Sequence, residues 1–558
     1  IIKGLTFRNN TGMRYQLYRR ELFYGDQSIM GRRSGIYGSI RNTETGSFQT
    51  SNVLTYDKRF QKKHKVVVQL GQEFVKRWTR VLESGVSGLP TDEFILGDMS
   101  LGTPSVASSD ENYDDNLLSF FARLNYDFTD KYLFSATFRA DGASKFGKNN
   151  KWGYFPAVSA AWRVGEEDFI KRLNVFSDLK FRIGYGLAGN NRIGSYNSLA
   201  LMSSITTAMG DQLTPGYASK QIPNPDLKWE VKHTFNAGFD VGFYGNRLLL
   251  SVNYYNSKTT DMLYNYRVSV PPFTYNTLLA NIGSMRNSGT EISVGITPLK
   301  TKDMELNINA NITFQKNKLL SLNGMYNGEY ISASEYTVIA GLDGAGFHGG
   351  YNNIVYQIVG QPLGVFYLPH CTGLVPDGNV GYKYEIADLN GGGVNLEDGE
   401  DRYVAGQAMP KTLLGSNISF RYKRFDVSLQ INGAFGHKIY NGTSLTYMNM
   451  NILPDYNVME EAPRQMIKDQ TATDYWLEDG DYINFDYLTV GYDVPLKNTK
   501  FLHNMRLAFT INNLGTISGY SGLTPLINSM TVDSTLGVDD KRTYPLSRTY
   551  TLSLSLNF

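Results

Sequence analysis

Residues 550–558 of the chain read YTLSLSLNF and carry the clearest strand pattern in the sequence. Successive side chains of an extended chain point to opposite sides. One face of this stretch therefore consists of Tyr550, Leu552, Leu554, Leu556 and Phe558. The other face holds only Thr, Ser and Asn. A strand of a soluble sandwich can look the same, but many other segments repeat the pattern. We therefore predict a transmembrane antiparallel β-barrel, with Tyr550 and Phe558 as membrane-anchoring residues of its last strand.

The alternation of apolar and polar residues recurs along the whole chain. In residues 306–314, for example, Leu, Ile, Ala, Ile and Phe alternate with Asn and Thr. We count about sixteen segments with the ~9–11 residues that a tilted membrane strand needs. Their polar faces are rich in Asn, Ser, Thr and Arg, which favours a water-filled lumen over a dry core. The predicted fold class is therefore all-β.

The connections between these segments alternate between short and long. Short connections fall at 61–64, 129–131, 244–246, 299–303, 423–425 and 495–504. Long connections fall at 19–45, 79–113, 189–226, 267–285, 317–410, 441–480 and 520–543. Outer-membrane barrels have brief periplasmic turns at one rim and large extracellular loops at the other. The alternative, a set of soluble sandwiches or a propeller, does not explain why every second loop is long. We predict 317–410 to be a large extracellular loop excursion.

The aromatic content of the chain fits a membrane interface. Aromatic residues make up 13% of the sequence, with 38 Tyr and 30 Phe. An aromatic ring with a polar tip suits the girdles of a barrel, where lipid meets water. We predict Trp152, Trp162 and Trp229 to be interface anchors. No apolar run approaches the ~20 residues that a membrane helix needs, so the prediction depends on strands alone.

Composition and motifs exclude several other classes of function. The 54 basic and 52 acidic residues nearly cancel, which gives no reason to expect a nucleic-acid partner. The single cysteine, Cys371, excludes an intrachain disulfide. No P-loop, HExxH or GxSxG motif is present, and no carboxylate pair favours a glycosidase, so we predict no enzyme. The chain has no signal peptide and begins in mid-strand by pattern, so we expect an N-terminal part to be missing.

One loop has features of a calcium site. In residues 387–402, Asp388, Asn390 and Gly393 occupy the first, third and sixth positions of a Ca²⁺ loop. The fifth position is a glycine without a side-chain oxygen, and the later acids Asp398 and Asp401 do not follow EF-hand spacing. A polar glycine-rich loop without metal is the simpler alternative. His370 beside Cys371 supplies only two ligands of a soft metal, which do not make a site.

Candidate ligand-binding residues lie in the long loops and at strand ends. Sugars stack on aromatic faces and accept hydrogen bonds from Asn and Arg, whereas peptides need polar groups that complement their backbone. The candidates are Asn190, Asn191, Arg192, Tyr217, Tyr336, Phe366 and Tyr367. The alternative is that these aromatic residues belong to the girdle or to loop packing.

Seven stretches resemble the SusC/RagA family of TonB-dependent outer-membrane transporters. They are RADGASKFG (139–147), WGYFPAVSAAWRVGEEDF (152–169), LKFRIGYGLAGN (179–190), PNPDLKWE (223–230), NSGTEISVG (287–295), WLEDGDYINFDYLTVGY (476–492) and YPLSRTYTLSLSLNF (544–558). They follow one another as in the family and span nearly the whole chain. At positions 484 and 486 the family commonly has Arg and Lys, whereas this chain has Asn484 and Asp486. No functional role is predicted for either residue.

The resemblance implies a fold, a function and partners. The family barrel has ~22 strands, so the chain would lack roughly six N-terminal strands and the plug that contacts TonB. Residues 1–558 would then form the C-terminal part of a barrel in the outer membrane of a Gram-negative bacterium of the Bacteroidetes. It would import oligosaccharides or oligopeptides by TonB-dependent transport, with a SusD-like surface lipoprotein as lid. The alternative is a passive porin or an adhesin-type barrel. A soluble carbohydrate-binding β protein is a third.

Overall fold

The computed structural model describes residues 2–210, 212–326, 329–332, 336–342, 352–378, 380–396, 399–496, 501–527, 536–541 and 543–558. At 107–111, 325, 329, 332, 336 and 337 it describes the backbone only. Contacts between Cα atoms divide the chain into two compact units. Unit 1 comprises Ile1–Ala160, Tyr185–His233 and Thr260–Ile282. Unit 2 comprises Ala161–Gly184, Thr234–Thr259 and Gly283–Phe558.

The strands, in chain order, begin with β1 (Leu5–Tyr24), β2 (Tyr37–Phe60), β3 (His64–Ser87), β4 (Thr103–Phe128), β5 (Tyr132–Ala143), β6 (Trp152–Trp162), β7 (Phe176–Asn190), β8 (Met202–Met209), β9 (Gln212–Ser219), β10 (Glu230–Phe243) and β11 (Leu248–Thr260). There follow β12 (Leu263–Arg267), β13 (Thr277–Asn281), β14 (Ser284–Lys300), β15 (Met304–Ser321), β16 (Asn323–Tyr326), β17 (Glu329–Ser332), β18 (Tyr336–Gly341), β19 (Asn353–Ile358), β20 (Val365–Pro369), β21 (Cys371–Pro376), β22 (Tyr382–Ile386) and β23 (Arg402–Gln407). The last are β24 (Thr412–Tyr422), β25 (Phe425–Phe435), β26 (Lys438–Asn441), β27 (Leu477–Asp479), β28 (Tyr482–Asp493), β29 (Asn504–Ser518), β30 (Val538–Asp539) and β31 (Thr549–Asn557).

Helices are few and short in the described part of the chain. The α-helices are α1 (Ile29–Ser34), α2 (Asp168–Lys171), α3 (Gly442–Tyr447) and α4 (Ala462–Gln465). Single 3-10 turns lie at Met99–Leu101, Val164–Glu166, Met450–Ile452 and Asp474–Trp476. Among the residues described, no helix has the length and apolar character to span a membrane.

Sixteen strands form one large sheet, as the alternation of the sequence predicts. Their order is β1-β2-β3-β4-β5-β6-β7-β10-β11-β14-β15-β24-β25-β28-β29-β31. Each strand neighbours the next large-sheet strand along the chain, which is the meander expected for an all-β antiparallel barrel wall.

The register in unit 2 gives this sheet one apolar and one polar face. Directly opposed residues across β15, β24, β25, β28, β29 and β31 are Leu306, Phe420, Val427, Val490, Phe509 and Leu552. The adjacent row consists of Asn307, Ser419, Ser428, Thr489, Thr510 and Thr551. Residues that oppose one another lie on the same face of the sheet. The alternation within each strand therefore gives one continuous apolar row and one continuous polar row across the six strands. The apolar row suits lipid, and the polar row suits water.

Unit 1 has the same two-faced arrangement. Leu54, Leu70, Ala122 and Phe138 oppose one another across β2, β3, β4 and β5. The next row consists of Thr55, Gln69, Arg123 and Thr137. Two-faced pairing is therefore a property of both units.

The predicted short turns at 61–64, 129–131, 244–246, 299–303 and 423–425 are confirmed. Residues 497–500 of the predicted turn 495–504 lie outside the described residues. Two predicted long loops are shorter than expected. Residues 61–63, 129–131 and 423–424 each join two strands of the large sheet. Residues 19–45 are predicted to be a long loop, as are residues 79–113, which are rich in Gly, Ser, Asp and Pro. In the structure β1, β2, β3 and β4 extend far into both segments, and only 25–36 and 88–102 separate the strands. The Arg41–Glu83 ion pair, at 3.4 Å, links the extensions of β2 and β3. Pairing partners therefore override the weak local strand propensity.

A hydrophobic core in unit 2 is built from strands that do not belong to the large sheet. We call it the loop core. Strands β18, β19, β20 and β23 form a four-stranded sheet, and β27, β26 and β30 form a three-stranded one. Among its fully buried side chains are Leu342, Ile354, Val355, Phe366, Leu368, Tyr440 and Leu445. Residues 317–410 thus contain small sheets whose core also takes residues from later in the chain.

Candidate functional site

The predicted site residues at the end of β7 are held by hydrogen bonds within unit 1. Asn190 Nδ2 donates to Glu230 Oε1 at 3.1 Å, and Asn190 Oδ1 accepts from the backbone N–H of Arg192 at 3.0 Å. Glu230 Oε2 in turn accepts from the backbone N–H of Leu263 at 3.1 Å. Asn190 therefore fixes the backbone. Arg192 is exposed and Asn191 is half-buried, so this loop offers a guanidinium to solvent.

Tyr217 stands apart from that group on a β-hairpin of unit 1. It pairs with Ser204 across β8 and β9, and it is 75% exposed. Met202 and Leu213, exposed on the same hairpin face, extend its apolar surface. The ring is therefore accessible to a ligand or to a partner protein.

Trp229 is not an interface anchor, contrary to the sequence prediction. It is 6% exposed and packs against Phe146 and Phe155, with ring centroids 4.9 and 5.3 Å away. Its Nε1 donates to the backbone carbonyl of Lys151 at 3.1 Å. The indole is buried because these chain segments, distant in sequence, close over it.

The other four predicted anchors have exposed side chains. Trp152 stacks against Phe120 at 6.3 Å, and Tyr550 stacks against Phe509 at the same centroid distance. Trp162 Nε1 donates to Glu167 Oε1 at 3.1 Å. Phe558 is exposed as well. Their role at a membrane interface stays a prediction.

The predicted aromatic pair in β20 divides into one core residue and one partly accessible residue. Phe366 is fully buried in the loop core, so its ring packs there and offers no face to a ligand, which corrects the prediction. Tyr367 is half-buried, and its hydroxyl donates to the carbonyl of Gly399 at 3.1 Å. The Arg402 guanidinium lies 5.5 Å from its ring centroid. Tyr336 begins β18, and its side chain lies outside the described residues.

The acidic loop uses its described carboxylates to bind backbone N–H groups. Asp388 accepts from the N–H groups of Gly391 and Gly393 at 2.6 and 3.0 Å, and these bonds lower its pKa. Asp401 is buried and accepts from the N–H groups of Leu389 and Asn395. The side chain of Asn390 donates to Glu400 at 3.0 Å.

The calcium prediction for this loop stays untested. Asp398 lies outside the described residues. Among those described, no three His, Cys, Asp or Glu side chains are grouped so as to hold a metal.

Asp474 organises an exposed polar and aromatic cluster that the sequence did not reveal. Its Oδ2 lies 2.7 Å from His370 Nδ1 and accepts from the Tyr403 hydroxyl at 2.7 Å. Its Oδ1 accepts from the backbone N–H of Cys371 at 2.7 Å. Burial, together with the Asp474 carboxylate, raises the pKa of Tyr403 to about 12. No local pattern brings Asp474 beside His370, because more than a hundred residues separate them.

A polar cleft of about 410 Å³ lies beside the loop core in unit 2. We call it the His437 cleft. Its lining residues are Gln361, Pro362, Val365, Val404, Ala405, Gly406, Gln407, Lys411, Gly436, His437, Lys438, Asp479 and Asp481. His437 is 4% exposed, and burial lowers its pKa while the nearby Asp481 and Asp479 oppose that shift. Sequence reasoning missed this site because its residues come from four separate segments.

Ionic groups also lie on the polar face of the large sheet. In unit 1, Arg139 binds Glu73 and Asp141, each at 2.8 Å. In unit 2, Arg182 binds Asp240 at 2.9 Å, and Asp240 accepts from Ser251 at 2.7 Å. Such groups can contact hydrated solutes or protein within a lumen.

Comparison with known proteins relates these features to a family. A family model described as the β-barrel of TonB dependent receptor-like proteins matches residues 3–514. The TonB-dependent receptor P3 of Formosa agariphila is 28% identical over 581 residues, covering 100% of this chain and 57% of its own length. The TonB-dependent receptor SusC of Bacteroides thetaiotaomicron is 32% identical over 463 residues, covering 79% of this chain and 44% of its own length. The chain spans about half the length of these curated relatives.

The fold is similar to solved structures. The RagAB peptide transporter matches with a TM-score of 0.79 and 22% identity, covering 100% of this chain and 60% of the matched chain. At 22% identity, this similarity is evidence of a shared fold only. The family model covers most of the chain, and the sixteen-stranded sheet has the order that a barrel wall requires. The chain belongs to the TonB-dependent receptor-like β-barrel family, in its SusC/RagA branch, and is an outer-membrane protein of the Bacteroidetes.

Proposed function

We propose that this chain forms the wall and outer loops of a transporter that imports oligosaccharides or oligopeptides across the outer membrane. TonB, acting through a plug, would supply the energy. The observation that carries the proposal is the family-model match over residues 3–514. The names of two matched proteins point the same way, since one is a TonB-dependent receptor and the other a peptide transporter.

The two faces of the large sheet support a role in solute passage. In unit 2, an entirely apolar row lies beside an entirely polar one across six strands. The polar face also carries ion pairs such as Arg182–Asp240. Paired strands satisfy their backbone hydrogen bonds within the sheet, which is a condition for spanning lipid. A wall of this kind separates lipid from a hydrated passage.

The loops support capture of substrate together with a partner. We propose that a SusD-like surface lipoprotein covers them as a lid. The exposed hairpin that carries Tyr217 and the cluster around Asp474 offer aromatic and polar groups at the loop surface. Aromatic anchors with a polar tip are typical of protein interfaces and of ligand sites.

Native purification tests the partner and the substrate class together. The receptor is extracted from outer membranes in mild detergent, and everything that co-elutes is identified by mass spectrometry. Co-elution of a SusD-like lipoprotein with bound glycan or peptide supports the proposal. A barrel that elutes without lipoprotein and without ligand contradicts the proposed lid.

Uptake measurements distinguish active import from a passive porin or an adhesin. Cells that carry the receptor take up labelled oligosaccharides or peptides, and a protonophore is then added. Loss of uptake on collapse of the proton gradient supports TonB-dependent import. Uptake that continues unchanged indicates a porin, and the absence of any receptor-dependent uptake indicates an adhesin-type role.

A further inference from the structure

The His437 cleft contains a buried polar atom that lacks a partner. His437 Nδ1 makes no hydrogen bond in the described part of the chain. Asp481 Oδ1 lies 3.8 Å away. That separation exceeds the ~2.7–3.2 Å of a hydrogen bond. Buried polar groups are nearly always paired, so this pair of atoms calls for a bridging group.

The geometry around the imidazole indicates which kind of group can bridge. A Cβ at Gly480 would lie 2.7 Å from Nε2, so backbone carbon covers that edge of the ring. The Asp481 carboxylate favours the tautomer with its proton on Nδ1. A bridging atom must therefore accept from Nδ1–H and donate to Asp481. A hydroxyl does both, whereas a peptide N–H only donates and a peptide C=O only accepts.

The cleft has room for such a bridge and access to it. Asp481 is half exposed and also accepts from the backbone N–H of Gly436 at 2.7 Å. One oxygen atom can lie within hydrogen-bond distance of both His437 Nδ1 and Asp481 Oδ1. Two hydrogen bonds of ~2.8 Å are together longer than the distance between these two atoms. The half-exposed carboxylate can shift to admit it. A volume of about 410 Å³ falls within the ~300–1,000 Å³ of small-molecule sites.

The remaining lining favours an uncharged ligand rich in hydroxyl groups. Two lysines and two aspartates line the cleft, so their formal charges cancel. Lys438 pairs with Asp479 at 2.8 Å. The aliphatic chain of Lys411, which makes no ion pair within the described residues, lies beside Gly436. Gln407 Nε2 donates to Met409 O, which leaves Oε1 as an acceptor. The apolar wall consists of Pro362, Val365, Val404 and Ala405.

We propose that the His437 cleft is a subsite for a neutral sugar, one hydroxyl of which bridges His437 Nδ1 and Asp481 Oδ1. The inference rests on the proposed import function and narrows its substrate class from glycan or peptide to glycan. The donors and acceptors of the cleft match hydroxyl groups, and its small apolar wall matches the C–H face of a sugar ring.

Binding measurements on the whole receptor test the subsite. The probes are short uncharged oligosaccharides of glucose, mannose and xylose, and uncharged peptides of Ala and Gly, titrated calorimetrically in detergent. His437→Phe removes the buried donor, and Asp481→Asn keeps the Gly436 contact while weakening the acceptor. We expect binding of at least one oligosaccharide, weakened about tenfold or more by either variant. Asp377→Asn, an exposed aspartate outside the cleft, is the matched control and should bind like the parent.

The outcomes separate this inference from the proposed function. Unchanged oligosaccharide binding in Asp481→Asn overturns the subsite, even if His437→Phe fails to fold. Binding of the peptides without binding of any oligosaccharide also overturns it. A structure of the receptor in which the sugar is bound elsewhere, and only a water lies between His437 and Asp481, also overturns the subsite. If the variants still take up substrate in a proton-gradient-dependent way, the proposed transport function is retained. If the parent receptor shows no uptake even with the proton gradient intact, the proposed transport function is refuted.

Discussion

Trp152 and Trp229 carry the same side chain and fit the same interface pattern, yet they occupy different surroundings. Trp152 is 42% exposed and stacks on one neighbouring ring, whereas Trp229 is closed in by Phe146 and Phe155. The environment of an aromatic residue depends on which distant segment reaches it. Amphipathic aromatic residues suit both locations, so residue type alone does not distinguish them.

Trp229→Ala is therefore expected to destabilise its cluster far more than Trp152→Ala. Truncation of a large buried aromatic side chain costs ~3–5 kcal/mol, whereas most surface substitutions cost about 0.5 kcal/mol or less. Hydrogen exchange on the detergent-purified receptor should show faster exchange around residues 143–155 and 223–231 in the first variant only. Equal effects of the two substitutions would contradict the burial of Trp229.

His437 makes the stability of the His437 cleft depend on pH. Burial holds the pKa of this imidazole below its ordinary value of about 6.5, against the opposing effect of Asp481 and Asp479. The unfolded segment then binds a proton more readily than the folded one. Stability is complete above about pH 6.5 and declines as the pH falls through that value.

Hydrogen exchange of residues 436–441 and 477–482 checks this pH dependence. After correction for the intrinsic exchange rate, protection should decrease between about pH 7.5 and about pH 5.5, around the ordinary histidine pKa. His437→Gln, which does not titrate, should remove that decrease. A decrease of the same size in the glutamine variant would assign the effect to other groups.

Single strands of the large sheet follow local alternation, and the register joins them into faces. Val490 opposes Phe509 on the apolar face, and its neighbour Thr489 opposes Thr510, with 2.9 Å between the two hydroxyl oxygens. The two positions differ by one residue in sequence and face opposite environments. That adjacency provides a matched comparison within one strand.

Val490→Lys is expected to impair the strand much more than Thr489→Lys. A lysine on the lipid-facing surface near the membrane midplane costs ~2–4 kcal/mol, while a lumen-facing position tolerates charge. Urea unfolding of the receptor in lipid vesicles, followed by tryptophan fluorescence, measures the difference. Similar losses for both variants would show that the assignment of the faces is wrong.

The strand lengths show where local propensity fails. Residues 79–113 are rich in Gly, Ser and Asp, which typify loops, yet β3 continues to Ser87 and β4 starts at Thr103. The two extensions pair with each other, from Thr79 opposite Tyr113 to Ser87 opposite Thr103. Strand propensity depends on what lies opposite, which a single sequence does not display.

On the scale of the whole molecule, the loop core connects segments that are far apart in sequence. Phe366, Tyr440 and Val538 are all buried in it. Phe366→Ala should therefore loosen the chain around 440 and 538 while leaving the large sheet intact, at a cost of ~3–5 kcal/mol to the loop core.

Limited proteolysis and hydrogen exchange test that connection. Cleavage should appear in the loop segments of Phe366→Ala, with unchanged protection in β24, β25 and β28. Tyr217→Ala, at a 75% exposed aromatic residue, is the control and should leave the loop core unaffected. Protection that is lost throughout the chain would mean that the loop core and the large sheet unfold as one.

The sequence by itself determined the fold class, the number of large-sheet strands and the family. These depend on a period of two that each strand carries locally, and on motifs such as RADGASKFG that occupy short contiguous stretches. Only the tertiary structure decided that Trp229 and Phe366 are core residues and that Asp474 and His437 organise polar sites. Burial and hydrogen bonding at those positions arise from contacts between segments tens to hundreds of residues apart, and no local pattern encodes which segments meet.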